Sequence, residues 1–75
     1  MIESLVLIEG EKVKEENLLI SLGNALQLII GRDLRFGVIL QISADSPDDL
    51  RNALIEFAKV PHVTGVVTLM LRSPL

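Results

Sequence analysis

No cysteine, tryptophan or tyrosine occurs in this sequence, and histidine occurs once. Without thiols there is no disulfide framework, no thiolate metal site and no cysteine nucleophile. His62 alone makes a poor nucleus for a zinc or redox-metal centre, so neither a metal nor a cofactor is expected. Two phenylalanines are the only aromatics, which excludes a stacking platform for bases. Basic charge is also scarce: seven Lys and Arg face ten Asp and Glu, for a net charge of −3. Phosphate binding needs a concentrated basic face, so nucleic acid is not an expected direct partner. Long apolar runs are missing too. The stretch from Leu18 to Ile30 is short of a membrane span and is interrupted by Ser21, Asn24 and Gln27. No repeat, linker or low-complexity segment divides residues 1–75, which read as a single domain.

What the chain has in quantity is apolar side chains. They make up 49% of its 75 residues, and the mean hydropathy is +0.50. A domain this small buries only about 60% of its unfolded surface, so part of that apolar content must stay outside unless a second chain covers it. A homodimer or higher oligomer is therefore expected. The opening MIESLVLIEGE carries no basic leader and no small-residue cleavage site, and the expectation is a soluble, cytoplasmic protein.

Along the chain, Ile2 to Glu9 reads as a central strand because Leu5-Val6-Leu7-Ile8 is a continuous apolar run. A helix is expected from Val13 or Lys14, with Leu18, Leu19, Leu22, Leu26 and Ile29 at helical spacing and Asn17, Ser21, Asn24 and Gln27 opposite. Its end is open: either Gly23 closes it and residues 25–30 form a strand, or it runs on to Gly31. Gly31 to Leu34 reads as a turn. Arg35 to Ser43 reads as a strand with Phe36, Val38, Leu40 and Ile42 on one face and Ile39 central on the other. Ser46 as N-cap, Pro47 at the first helical position and Asp48-Asp49 behind them open a second helix. It carries the stripe Leu50, Ala53, Leu54, Phe57 and Ala58, and Pro61 ends it at or before Val60. A last strand spans Val63 to Leu71, with Val66 and Met70 on one face beside Thr64 and Thr68. The order β-α-(β)-β-α-β predicts an α+β, ferredoxin-like βαββαβ sandwich with both helices on one face of a mainly antiparallel sheet. Ile39, Val66 and Met70, with Leu5 or Leu7, are then candidates for an oligomer interface on the bare side.

Candidate chemistry is sparse. His62 has no orienting acid or hydroxyl at recognisable spacing, and no catalytic residue is assigned. The acids from Asp45 to Asp49 lack an EF-hand's glycine and terminal glutamate, and helix capping explains them. Gly10 and Glu11 are candidate ligand contacts, because a glycine there lets a ligand approach the backbone at a helix start. Arg32 and Asp33 are the other candidates, since the arginines of Gly31-Arg32-Asp33-Leu34-Arg35 match a carboxylate or phosphate.

The segment DLRNALIEFAKVPHVTGVVTL, Asp49 to Leu69, resembles the second half of ACT-type regulatory domains and of the effector-binding domain of Lrp/AsnC regulators. That resemblance implies a ferredoxin-like dimer that binds a small effector, such as an amino acid, between subunits. It also implies that the loop from Gly10 to Val13 contributes to the site. Ile2-Glu3-Ser4-Leu5-Val6, with the same closing half, is similar to the small maturation chaperones of periplasmic nitrate reductase, which bind a partner's signal peptide along the sheet. The expectation is a stand-alone regulatory or ligand-binding module, then a peptide-binding chaperone, then a structural oligomer subunit. An enzyme comes last, because no nucleophile–base pair is in view.

Overall fold

The computed structural model describes residues 1–20, 22–33 and 35–72. Ser21 and Leu34, placed by the sequence on the first helix's polar face and in the turn before the third strand, lie outside the described residues. The elements are β1 (Ile2–Glu9), a four-residue 3₁₀ turn (Glu15–Leu18), β2 (Ala25–Asp33), β3 (Gly37–Ala44), α1 (Pro47–Ala58) and β4 (Gly65–Arg72). The strands form one antiparallel sheet in the order β2-β3-β1-β4, so β1 and β3 are central and β2 and β4 are edges.

The expected two-helix βαββαβ fold does not form. Among the described residues there is one α-helix, and the region assigned to the first contains only the 3₁₀ turn. Local physics accounts for this. Lys14 offers no side-chain cap at the start of the turn. Gly23 sits at φ +68, a left-handed conformation that ends any helix there. The helix left between them would be about eight residues long, which is marginal in water without strong packing. Beyond Gly23 the chain does better as a strand. Ala25 to Asp33 pair with β3 except at Ile30, and burial alternates residue by residue as far as that point. Of the expected helical stripe, Leu18 is buried, whereas Leu26 is 75% exposed. The turn expected at Gly31 to Leu34 moves later, because β2 continues through Asp33.

The connection from Gly10 to Asn24 takes the place of the missing helix. Val13 and Leu18 are fully buried in the core, and Ile20 and Leu22 pack against it. An irregular segment lacks the i→i−4 ladder and must find other donors for its carbonyls. Two β2 side chains supply them. Gln27 donates through Nε2 to the Leu18 carbonyl at 3.2 Å and to that of Ile20. Arg32 donates to the carbonyls of Val13 and Glu11 and pairs with the Glu15 carboxylate at 3.5 Å.

The helix α1 follows its sequence signals closely. The Ser46 hydroxyl accepts from the Asp49 amide at 3.2 Å, with Pro47 at the first position. Leu50, Ala53 and Phe57 are buried against the sheet face that carries Val6, Ile8, Val38, Leu40 and Ile42. Among the described residues nothing is layered over the opposite sheet face, so β1 is buried on one side only, with Leu5 and Leu7 half-buried on the other.

Both edge strands are irregular. Ile30 in β2 and Leu69 in β4 have no partner, because the register slips by one between Ile29 and Gly31 and between Met70 and Thr68. Such bulges reverse the alternation of side chains beyond them. The Ser4 hydroxyl, almost fully buried, donates to the Met70 carbonyl at 3.0 Å beside the β4 bulge.

Candidate functional site

The four candidate ligand residues gather at one end of the sheet, where Gly10 and Glu11 border an open cavity while Arg32 and Asp33 are engaged in contacts of the fold. Gly10 is packed shut. Its N–H donates to the Phe36 carbonyl at 2.7 Å, and a Cβ there would lie 2.6 Å from Val13 Cγ2 and 3.3 Å from the His62 carbonyl carbon. Glu11 is exposed and contributes its backbone carbonyl to Arg32. Arg32 is turned to the helix side by the β2 bulge, opposite Val38, and its guanidinium is committed to the Gly10–Leu18 connection. The Asp33 carboxylate accepts from the amides of Arg35 (2.8 Å) and Phe36 (3.1 Å), which is the Asx geometry that starts the β2–β3 hairpin. Gly10, Arg32 and Asp33 thus have structural tasks, whereas the Glu11 side chain is left to the cavity.

Beside them lies an open cavity of about 440 Å³, bordered by Glu9, Glu11, Lys12, Arg35, Phe36 and His62. Among the described residues, four of the seven cations are in ion pairs: Arg32, Arg51, Lys59 and Arg72. Two of the remaining three, Lys12 and Arg35, border this cavity together with Gly10, Glu9 and Glu11, and none of these four charged side chains is in an ion pair or hydrogen bond with another described residue. His62 is held there at φ 71, between the Val63-to-Val60 and Thr64-to-Glu9 backbone hydrogen bonds.

The larger feature is the bare face of the sheet. The register sets four cross-strand rows on it. The two middle rows are Leu28–Gln41–Leu5–Met70 and Gly31–Ile39–Leu7–Val67. Leu26–Ser43–Glu3–Arg72 borders them on one side and Asp33–Gly37–Glu9–Gly65 on the other. Leu28 is 61% exposed, Met70 50% and Val67 40%. The first border row is neutralised, since Arg72 meets Glu3 at 2.6 Å and Gln41 donates to the same carboxylate at 3.4 Å. The other is not. Glu9 stands between two glycines, and its side chain lies over Gly65, where a Cβ would come within 3.3 Å of the Glu9 carboxyl carbon.

Of the residues expected in this patch, Ile39 and Met70 lie on the bare face and Val66 does not. Val66 pairs with fully buried Ile8 and packs against the core on the helix side. In an unbroken strand Val66 and Met70 would share a face; the bulge at Leu69 separates them. Sequence reasoning missed Leu26, Leu28 and Val67. The first two carried a usable signal, the alternation of Leu26, Leu28 and Ile30, which competed with a helical reading. Nothing along the chain could signal Glu9, because its two glycine neighbours come together only through the register.

Among the described residues, no helix is long and apolar enough to cross a membrane, and no group of three His, Asp or Glu is placed to hold a metal ion. No family model, curated protein or solved structure matches this chain.

Proposed function

We propose that this chain is a small, cytoplasmic ligand-binding module that works as a homodimer, closed through the bare face of its sheet. The observation that carries the reading is the pair of mainly apolar rows from β2 to β4, broken only by Gln41 and Gly31, with Leu28, Met70 and Val67 open to water in a single copy. Scattered exposed apolar residues are ordinary, but two adjacent rows across a whole sheet are not. The size is also apt. Strands about 4.8 Å apart with about 3.3 Å per residue make a four-stranded face roughly 19 by 26 Å, on the order of 500 Å² in projection. Side-chain relief brings that near the roughly 800 Å² each partner gives to a standard interface.

At micromolar concentration, light scattering should give twice the chain mass of 8.2 kDa. Leu28→Glu and Met70→Glu, at positions already exposed in one copy, should leave the fold intact by circular dichroism and reduce the mass to a single chain. A wild-type mass of one chain would refute the dimer. If that mass then rose only with an added apolar peptide, a peptide-binding chaperone would be the better account of the same face.

The cavity at the sheet end is the proposed effector site. Its unpaired charges of both signs, with half-exposed Phe36 alongside, suit a small zwitterion such as an amino acid. In a thermal-shift panel of amino acids at least one should raise the melting temperature. Arg35→Ala should remove that shift without changing the ligand-free melting temperature. A flat response across the panel would dismiss the effector.

A further inference from the structure

We infer that the two copies meet with their strands reversed end for end, β4 over β4, so that Arg72 of each copy reaches Glu9 of the partner subunit. This rests on the proposed dimer and adds its geometry. A closed pair of identical faces has a two-fold axis in the contact plane, and aligned sheets leave two choices for it.

With the axis along the strands, like ends meet. The border row containing Glu9 and Asp33 then lies on its own copy, and four carboxylates share one end of the interface with no cation in either row. Burying like charges together is costly, and a buried carboxylate without a partner is worse than none. Lys12 and Arg35 border the cavity beside Glu9, yet neither is paired with it, so neither neutralises it within its own copy.

With the axis across the strands, unlike ends meet. The Glu9 row faces the row ending in Arg72, and Arg72 falls over Gly65, the glycine across which the Glu9 side chain already lies. Glu3 comes opposite Glu9, and Arg72 stands between the two carboxylates. It holds Glu3 at 2.6 Å and has guanidinium donors left for the second. The apolar rows change places, so Met70 lies over Val67 of the partner subunit, apolar on apolar. With no side chain of its own, Gly65 leaves the Glu9 carboxylate lying over the β4 backbone at the point where Arg72 of the partner subunit arrives.

Within one copy, residues 9 and 72 are at opposite ends of the sheet. Glu9 and Glu3, the residue paired with Arg72, are separated by six steps of β1, roughly 20 Å at about 3.3 Å per residue. Energetic coupling between positions 9 and 72 can therefore arise only across the interface.

The test is a double-mutant cycle on the dimer dissociation constant, measured by sedimentation at low salt. Arg72→Glu should weaken the dimer at least tenfold, and adding Glu9→Lys in the same chain should recover most of that loss. Purely additive effects in a stable dimer would overturn the reversed arrangement and leave the dimer standing. A wild-type monomer would overturn both. Cross-linking gives an independent reading, because the chain has no cysteine of its own. A short bismaleimide should join Val67→Cys chains to Met70→Cys chains. Joining Met70→Cys to Leu28→Cys instead would mean that like ends meet.

Discussion

Gly37→Ala is expected to abolish the cooperative fold. Gly37 opens β3 at φ +142, a conformation that residues with a Cβ rarely adopt. Strain of that kind costs about 1–3 kcal/mol by itself. The steric problem is greater. A Cβ would lie 2.9 Å from the Ile8 carbonyl carbon, 3.1 Å from the Gly10 nitrogen, and far inside van der Waals contact distance of the Ile8 oxygen. All three atoms are backbone, so no side chain can swing away. The Ile8 segment cannot retreat either, since β1 is paired on both sides, to β3 and to β4. A domain of 75 residues has about 4–11 kcal/mol of stability in all, and a substitution that forces two central strands apart removes most of it. Far-ultraviolet circular dichroism through a urea titration should show no cooperative transition. A melt within a few degrees of the parent would mean that the β1–β3 contact is not as close as described.

Phe57→Ala should have the next largest effect. Phe57 is the bulkiest fully buried side chain and joins α1 to the sheet in the cluster that includes Val6, Leu18 and Leu40. Large-to-small changes of this kind cost about 3–5 kcal/mol, part transfer and part cavity. At roughly 4–8 °C per kcal/mol for a domain this size, the melting temperature should fall by at least about 12 °C. In this fold nothing can collapse to fill the gap. Among the described residues one helix covers the sheet, and the Gly10–Asn24 connection beside it is tied by Gln27 and Arg32. Phe57→Leu, closer in volume, should lose much less. Equal melting temperatures for Phe57→Ala and the parent would show that α1 is not anchored there.

The readable and unreadable parts of this chain differ in range. Around α1, the signals are local. Ser46 caps, Pro47 starts, Phe57 faces inward, and the structure agrees to within a residue or two. The inner face of β3 reads as directly, from the period of two through Val38, Leu40 and Ile42. The first helix was misread because Leu18, Leu22, Leu26 and Ile29 satisfy a helical period, while Leu26, Leu28 and Ile30 satisfy a strand period. Pairing with β3 decided between them, and that pairing is a long-range fact. The site suffered from a second non-local effect. Val66 was assigned to the face of Met70 by counting residues, and the one-residue bulge at Leu69 between them inverts the count; Arg32, expected in a turn, lies instead in β2 beyond the bulge at Ile30.

Those bulges also bear on how the protein behaves when crowded. An outermost strand with open amides and leucines in step is the usual seed for fibre growth, one chain zipping onto the next. Here each rim of the sheet is out of step with itself at one residue, Ile30 on one side and Leu69 on the other. An incoming ribbon can match either half of such a rim but not both, so lateral stacking into filaments stalls after a few rungs. The stickiness of this small domain is thereby steered away from its margins, toward the proposed contact across the bare face, which closes on itself and stops.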